Sequence, residues 1–360
     1  MAVHASSATR TFALFGEQLE PGGLGEAVID ALGARGFAAT ASANEASIVL
    51  NVVDSERPRP FRRKARGTFV AALWTLPEMP ADPLAATYPM LVRALANISL
   101  CHVPGDGVLF TTMERGNYLV PEGPELAAQV VERLEPLATS TLVIDNDFRT
   151  NLEPELWDGD EITREIAEVG KRLDGLGLLP APFPIEDLVS ADDLRRIKRL
   201  YAIGGLSYGN LSQRKDADRF WMSASGVDKA KLHEPARDIL LVSGYDAAAG
   251  RIVLSVRPDL EPRRVSVDAI EHWMIYRENP EVGAILHVHA WVEGIEATEI
   301  NFPCGTEELA SSVAALVAAA PDPVHAIVGL RNHGITATGE TLTEILDRIE
   351  PTLLRQVPMT

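Results

Sequence analysis

Apolar and polar positions along the first 150 residues switch repeatedly between two periods. "RTFALFG" (10–16) reads as a short apolar strand. Residues 23–36 place Leu24, Val28, Ile29 and Leu32 near helical spacing and end in glycine. The runs at 46–54 and 67–76 read as buried strands, 83–97 as a helix, 98–103 as extended chain and 122–137 as a helix. Strand–helix alternation of this kind predicts an α/β layer domain over residues 1–150. "GGLGEA" (22–27) lacks the glycine spacing of a dinucleotide fingerprint and reads as a helix N-terminus.

Residues 145–161 are acidic and rich in turn formers, which puts a domain boundary there. A linker and helix are expected over 151–189, with Ile162, Ile166, Val169 and Leu173 on one helical face. Residues 190–205 open on a Ser-x-x-Asp cap signal and close on two glycines, so a helix starts the second domain, 190–360.

Composition narrows the class. At 360 residues the chain is long for one domain, and 46% apolar with 23% charged residues is ordinary for a globular protein. No run approaches the length of a membrane span, and the N-terminal apolar stretch is too short for a secretory signal, so a cytoplasmic protein is expected. Two cysteines, Cys101 and Cys304, are too few for a disulfide scaffold or a cysteine-ligated zinc site. A net charge of −18 argues against nucleic acid or an anionic membrane as partner. Against that background the basic stretch 55–67 stands out, and it reads as a solvated, proline-stiffened loop.

Chemistry concentrates in the C-terminal half. In "AILHVHAW" (284–291), His287 and His289 are two apart on a strand, so they project together while Leu286, Val288 and Ala290 face a core. That suits two nitrogens on one metal, although core or surface histidines also occur at this spacing. In "AIVGLRNHGITATG" (326–339), two apolar runs flank a tight bend that carries His333, where Gly334 could supply positive φ. Three histidines would leave a position open for water or substrate. The turns in "GLSYGNLSQR" (205–214) and "FWMSASGVDKAKL" (220–232) could aim backbone amides and hydroxyls at an anion, or serve geometry alone.

Taken in order, these segments with "SVDAIEHWMIYRENPEVGAILHVHAW", "GTEELA" and "RNHGITATGETLTEIL" resemble the class II aldolase/adducin family over roughly 190–350. The resemblance implies an α/β/α domain with a central, mainly antiparallel sheet, assembled into homo-oligomers, usually tetramers. It implies that His287, His289 and His333 hold a divalent metal, normally zinc, with Fe(II) or Mn(II) as alternatives. It places Asn210, Ser225, Gly226 and Ser266 at phosphate contacts of a small-molecule substrate. Asp268 falls where the family's lyases carry a glutamate acid/base, nineteen residues before His287. On the predicted helix 266–278, Glu271 and His272 share its face and could assist.

The implied function is a metal-dependent lyase that breaks or forms a C–C bond through a metal-stabilised enediolate. Several departures touch the substrate side. Asp268 is one methylene shorter than glutamate, and Val267 replaces a second serine. Only fifteen residues separate His289 from "GTEELA", and no tyrosine follows Tyr276. Glu293, Glu296 and Glu299 in that short loop could supply an acid, or form a solvated face. These departures keep open dehydration, epimerisation, decarboxylation or Fe(II) oxygen chemistry at the same metal. A non-catalytic, adducin-like interaction module is the third reading.

Overall fold

The computed structural model describes residues 10–64, 67–112, 116–178, 185–200 and 209–360, with backbone alone for 196–200. The expected glycine end of the 190–205 helix and the start of the 205–214 turn lie outside the described residues. The chain divides into two compact units, residues 1–140 with 183–197, and 141–182 with 198–360. Residues 190–197, read above as the start of the second domain, fall in the first unit.

The first unit is a seven-stranded sheet in the order β2-β1-β3-β4-β5-β6-β7. Its elements are β1 (Thr11–Gly16), α1 (Leu24–Ala34), β2 (Ala38–Ala39), β3 (Ile48–Val52), β4 (Phe69–Thr75), α2 (Pro83–Arg93), β5 (Ile98–Val103), β6 (Gly107–Thr112), β7 (Gly116–Pro121) and α3 (Leu126–Thr139). β1 to β5 run parallel, while β6 and β7 are antiparallel additions at one edge. Val28 and Leu32 of α1 and Val130, Val131 and Leu134 of α3 bury against Leu50, Leu100 and Phe110 on one face. Thr111 points the opposite way from Phe110 and bonds Thr87 of α2 at 2.7 Å, so α2 covers the other face. The α/β layer expected from the hydrophobic pattern is present. In the basic stretch, Arg59 lies over the Phe15 ring and Arg63 donates to Asn97.

The chain continues through β8 (Asp145–Arg149), α4 (Glu161–Gly175), α5 (Ile185–Leu188) and α6 (Ala191–Leu200). β8 lies inside the stretch 145–161, where the turn formers predict a boundary and no strand. "DNDFR" pairs in parallel with a later strand at the edge of the second sheet. An edge strand with largely exposed side chains has no need of apolar alternation, so its sequence carries no strand signal.

The second unit is built on β9 (Gly209–Arg214), β10 (Phe220–Ser223), β11 (Ile239–Asp246), β12 (Arg251–Ser255), α7 (Ala269–Glu278), β13 (Ala284–Val288), α8 (Glu307–Ala319), β14 (Ile327–Leu330), β15 (Gly334–Gly339) and α9 (Leu342–Ile349). Its eight strands run in the order β14-β15-β13-β9-β10-β11-β12-β8, antiparallel except for the β12–β8 pair. Alternation fixes which helix covers which face. His287, Asn210 and Thr336 are register partners on one face, and the side chain of Glu271 on α7 reaches Thr336. On the opposite face Gln213 bonds Glu165 of α4, and the α9 amide of Leu342 bonds Gln213. The result is the α/β/α layering with a mainly antiparallel sheet that the resemblance implies. Asp160 starts α4 as a reciprocal capping box with Thr163, and the same carboxylate accepts from Lys215 and Trp221. Among the described residues no helix is long and apolar enough to cross a membrane.

Candidate metal centre

β13 delivers His287 from mid-sheet and His289 from just past its end, and the hairpin between β14 and β15 delivers His333. All three are buried, at 0%, 8% and 5% exposure. One ring nitrogen from each lies within 4.8 Å of the others, and no second such group of three His, Cys, Asp or Glu occurs among the described residues. Ring centroids are 4.9–5.2 Å apart, with the planes steeply inclined to one another. Such a converging, buried imidazole cluster has the donor set and spacing of a transition-metal site.

The hairpin is built differently from the sequence expectation. Asn332, not Gly334, takes positive φ, at 54°. Asn332 holds that conformation with bonds to the backbone carbonyl and amide of Thr360. Gly334 is needed for space instead. A Cβ built there would sit 2.2 Å from the Val288 carbonyl oxygen and 3.0 Å from His289 Cα. The two segments that carry the histidines therefore touch through this glycine. Gly334→Ala is expected to cost about 1–3 kcal/mol, read by urea unfolding, and to weaken metal uptake by moving His289 from His333. Wild-type stability and metal uptake together would contradict this account of the contact.

Behind His287 stands a buried relay. Thr336 Oγ1 donates to Glu271 Oε1 at 2.6 Å and lies 3.3 Å from His287 Nδ1. A hydroxyl has one proton, so towards His287 the threonine accepts and Nδ1 carries the hydrogen. That sets the ring's lone pair on Nε2, one of the two nitrogens through which a neutral imidazole can bind a metal. Burial, reinforced by the Asp268 charge, pushes the Glu271 carboxyl up to about 8.

A carboxyl raised in this way keeps its proton in the folded chain and gives it up on unfolding. In the metal-free chain its contribution to stability is full below its ordinary value of 4.5 and is lost as pH rises to about 8. Glu271→Gln is expected to flatten this part of the stability profile when urea midpoints are followed from about pH 5 to 8. An unaltered slope would contradict the buried, protonated state.

Asp268 occupies the N-cap position of α7 but makes no side-chain cap bond. Its Oδ2 accepts from Asn210 Nδ2 at 2.7 Å, and Asn210 is the register partner of His287. The Asn210 amide thus spans the gap between the histidine-bearing strand and the carboxylate. Lys229 is fully buried nearby. Desolvation lowers its ammonium to about 8, against the opposing pull of Asp228 and Asp268.

Ser225 and Gly226 leave β10 at the end where β9 begins, next to Ser266. The Ser223 carbonyl accepts from Ser266 N, and the Ser225 amide bonds the Arg264 carbonyl. Gly226 has φ +65°. Ser225 is exposed and Ser266 half-buried.

Of the other expected residues, His272 is fully buried, with Nδ1 2.7 Å from Ser212 Oγ, which in turn meets Tyr276 OH at 2.9 Å. This fastens α7 to the sheet and leaves His272 in a packing role. Glu293, Glu296 and Glu299 are exposed, forming the solvated face. Sequence reasoning missed Thr336, Lys229 and Cys304, whose Sγ lies 3.3–3.4 Å from both ring nitrogens of His333. Thr336 and Cys304 come to the site only through strand register and loop folding. A lysine in a polar turn reads as solvated, so Lys229 gives no sequence signal.

Residues 195–292 match the family model described as Class II Aldolase and Adducin N-terminal domain. This match likens residues 195–292 to the class II aldolase and adducin family. The chain is similar to methylthioribulose-1-phosphate dehydratase of Leptospira biflexa serovar Patoc, 30% identical over 126 residues, covering 34% of this chain and 54% of the relative. It is also similar to the enzyme of that name from Sodalis glossinidius (strain morsitans), 38% identical over 82 residues, covering 23% of this chain and 35% of the relative. The chain thus spans about half the length, or less, of these curated relatives. Among solved structures it is similar to an L-fuculose 1-phosphate aldolase at TM-score 0.37 and 19% identity, covering 53% of this chain and 81% of that one. A sugar-phosphate aldolase from Thermotoga maritima gives TM-score 0.36 and 19% identity, over 53% of this chain and 90% of that one.

Proposed function

We propose that the chain is a metal-dependent lyase acting on a small hydroxylated carbonyl compound, with a phosphorylated substrate as one form. The observation that carries this reading is the buried convergence of His287, His289 and His333 beside a carboxylate held by Asn210. Neutral imidazoles so close together fit zinc, and Fe(II) or Mn(II) suit the same nitrogens. A divalent ion held there would supply a Lewis acid that polarises a carbonyl oxygen.

Asp268 is the group we assign to proton transfer at the carbon next to that carbonyl. Asn210 orients it, which makes Asn210 a positioning residue before it is a phosphate contact. Glu271 reaches Thr336 rather than open space, so its proposed role is to position His287 through that hydroxyl. Ser225, Gly226 and Ser266 are the proposed contacts for an anionic end of the substrate, with Val267 withholding one hydroxyl.

Two reactions are open to such a site. In dehydration, Asp268 takes the proton from the carbon next to the carbonyl and the β-hydroxyl leaves as water. In C–C cleavage, the β-hydroxyl loses its proton, the bond breaks to an aldehyde and an enediolate, and Asp268 returns a proton to that carbon. The dehydratase name of the curated relatives favours water loss. An adducin-like scaffold is disfavoured, since it has no use for a buried imidazole triad. We further infer a homo-oligomer, a tetramer by resemblance.

The test is incubation of the metal-loaded chain with a panel of ketose and aldehyde phosphates, products being followed by mass. A loss of 18 Da, on the order of one water, supports dehydration, and paired fragments support C–C cleavage. Neither change with any substrate, at full metal occupancy, would overturn the lyase reading.

A further inference from the structure

The first unit contains a cavity of about 440 Å³ lined entirely by its own residues. It lies across the carboxyl ends of the parallel strands, at Val52 of β3, Thr75 of β4 and His102 of β5, and is walled by the segments that follow β1 and β3. After β1 the chain crosses by α1 to β2 on one side, whereas β3 and β4 are added on the other. The winding therefore reverses between β1 and β3. In doubly wound sheets, the crevice outside the carboxyl ends at such a reversal is where ligands bind.

The lining restricts the ligand. Glu17, Glu20, Asp54 and Glu56 face the cavity, and neither lysine nor arginine does. An anion would therefore be repelled, even beside the N-terminus of α1. A metal ion is also a poor fit, because these carboxylates do not converge as the histidines of the second unit do. Asp54 is fixed in place by the amides of Glu56 and Arg57, which donate to its Oδ1 at 2.7 and 2.9 Å. Gln18, Ser55, Thr75 and His102 add further polar groups, and Leu19, Leu24, Val53, Leu73 and Trp74 supply an apolar part of the wall. Dispersed carboxylate acceptors, with neutral amide and hydroxyl groups and an apolar wall between them, suit a neutral ring compound whose hydroxyls are spread along its edge.

We propose that this cavity binds an uncharged ring compound with vicinal hydroxyls, a nucleoside or a free sugar. Carboxylates from the β1 and β3 segments accept from the hydroxyls, and the apolar wall takes the ring.

Titration calorimetry on the full-length chain tests this with adenosine, D-ribose and AMP as probes, and with spermidine as the cationic control. Saturable binding of adenosine or ribose is expected, at least about tenfold tighter than AMP. Adenosine alone would identify a nucleoside site, and ribose a sugar site. Thr75→Trp, which fills the cavity from the end of β4, should weaken binding at least about tenfold. Glu17→Gln, which preserves shape, should also weaken it, and covers the case in which the tryptophan variant misfolds. No binding of either neutral probe at millimolar concentration would overturn the proposal. So would AMP or spermidine binding as tightly as adenosine, or affinity unchanged in folded forms of both variants.

Discussion

His287→Ala purifies with less than about a tenth of an equivalent of divalent metal, while the parent chain carries about one. Turnover of any substrate found in the phosphate panel falls at least about a thousandfold, since the polarising ion is lost with its ligand. The fold survives, because His287 sits within a strand whose register is fixed by two neighbours, Asn210 on β9 and Thr336 on β15. Elemental analysis and far-ultraviolet circular dichroism on the same preparation check both halves of this expectation. Undiminished metal content in a folded variant would move the metal away from the triad.

Asp268→Asn separates the carboxylate from the metal. The substitution keeps size and hydrogen-bonding capacity beside Asn210 but removes the group that takes up a proton. Metal content should stay at the parental level while turnover falls about 10²- to 10⁴-fold, the usual range for a lost general acid or base. Loss of metal together with activity would mean that Asp268 shapes the metal site. Unchanged turnover would pass the proton-transfer role to another group.

The triad was legible in the chain because two short rules govern it. Strand alternation points His287 and His289 the same way, and a glycine-bearing bend between apolar runs presents His333. The reason for that glycine was not legible, because the crowding partner of Gly334 is a carbonyl 46 positions earlier, at Val288. Helical spacing grouped Asp268, Glu271 and His272 on one face. Their partners nevertheless differ: Asn210 and Ser212 sit two apart on β9 and Thr336 on β15, and only the sheet order assigns them. The same limit hid β8, whose polar side chains lie at a sheet edge. It also hid Cys304, which meets His333 from a loop 29 residues away. In the first unit, apolar runs placed β1, β3, β4 and β5 correctly, yet the order that creates a crevice between β1 and β3 is a property of pairing.

An anomalous-difference map from crystals of the full-length chain grown with zinc, recorded at the zinc edge, tests the central claim most directly. The account predicts one strong peak within about 2.0–2.1 Å of a ring nitrogen from each of His287, His289 and His333. A map with no peak among these three rings, at a zinc concentration that fills other sites, would contradict it.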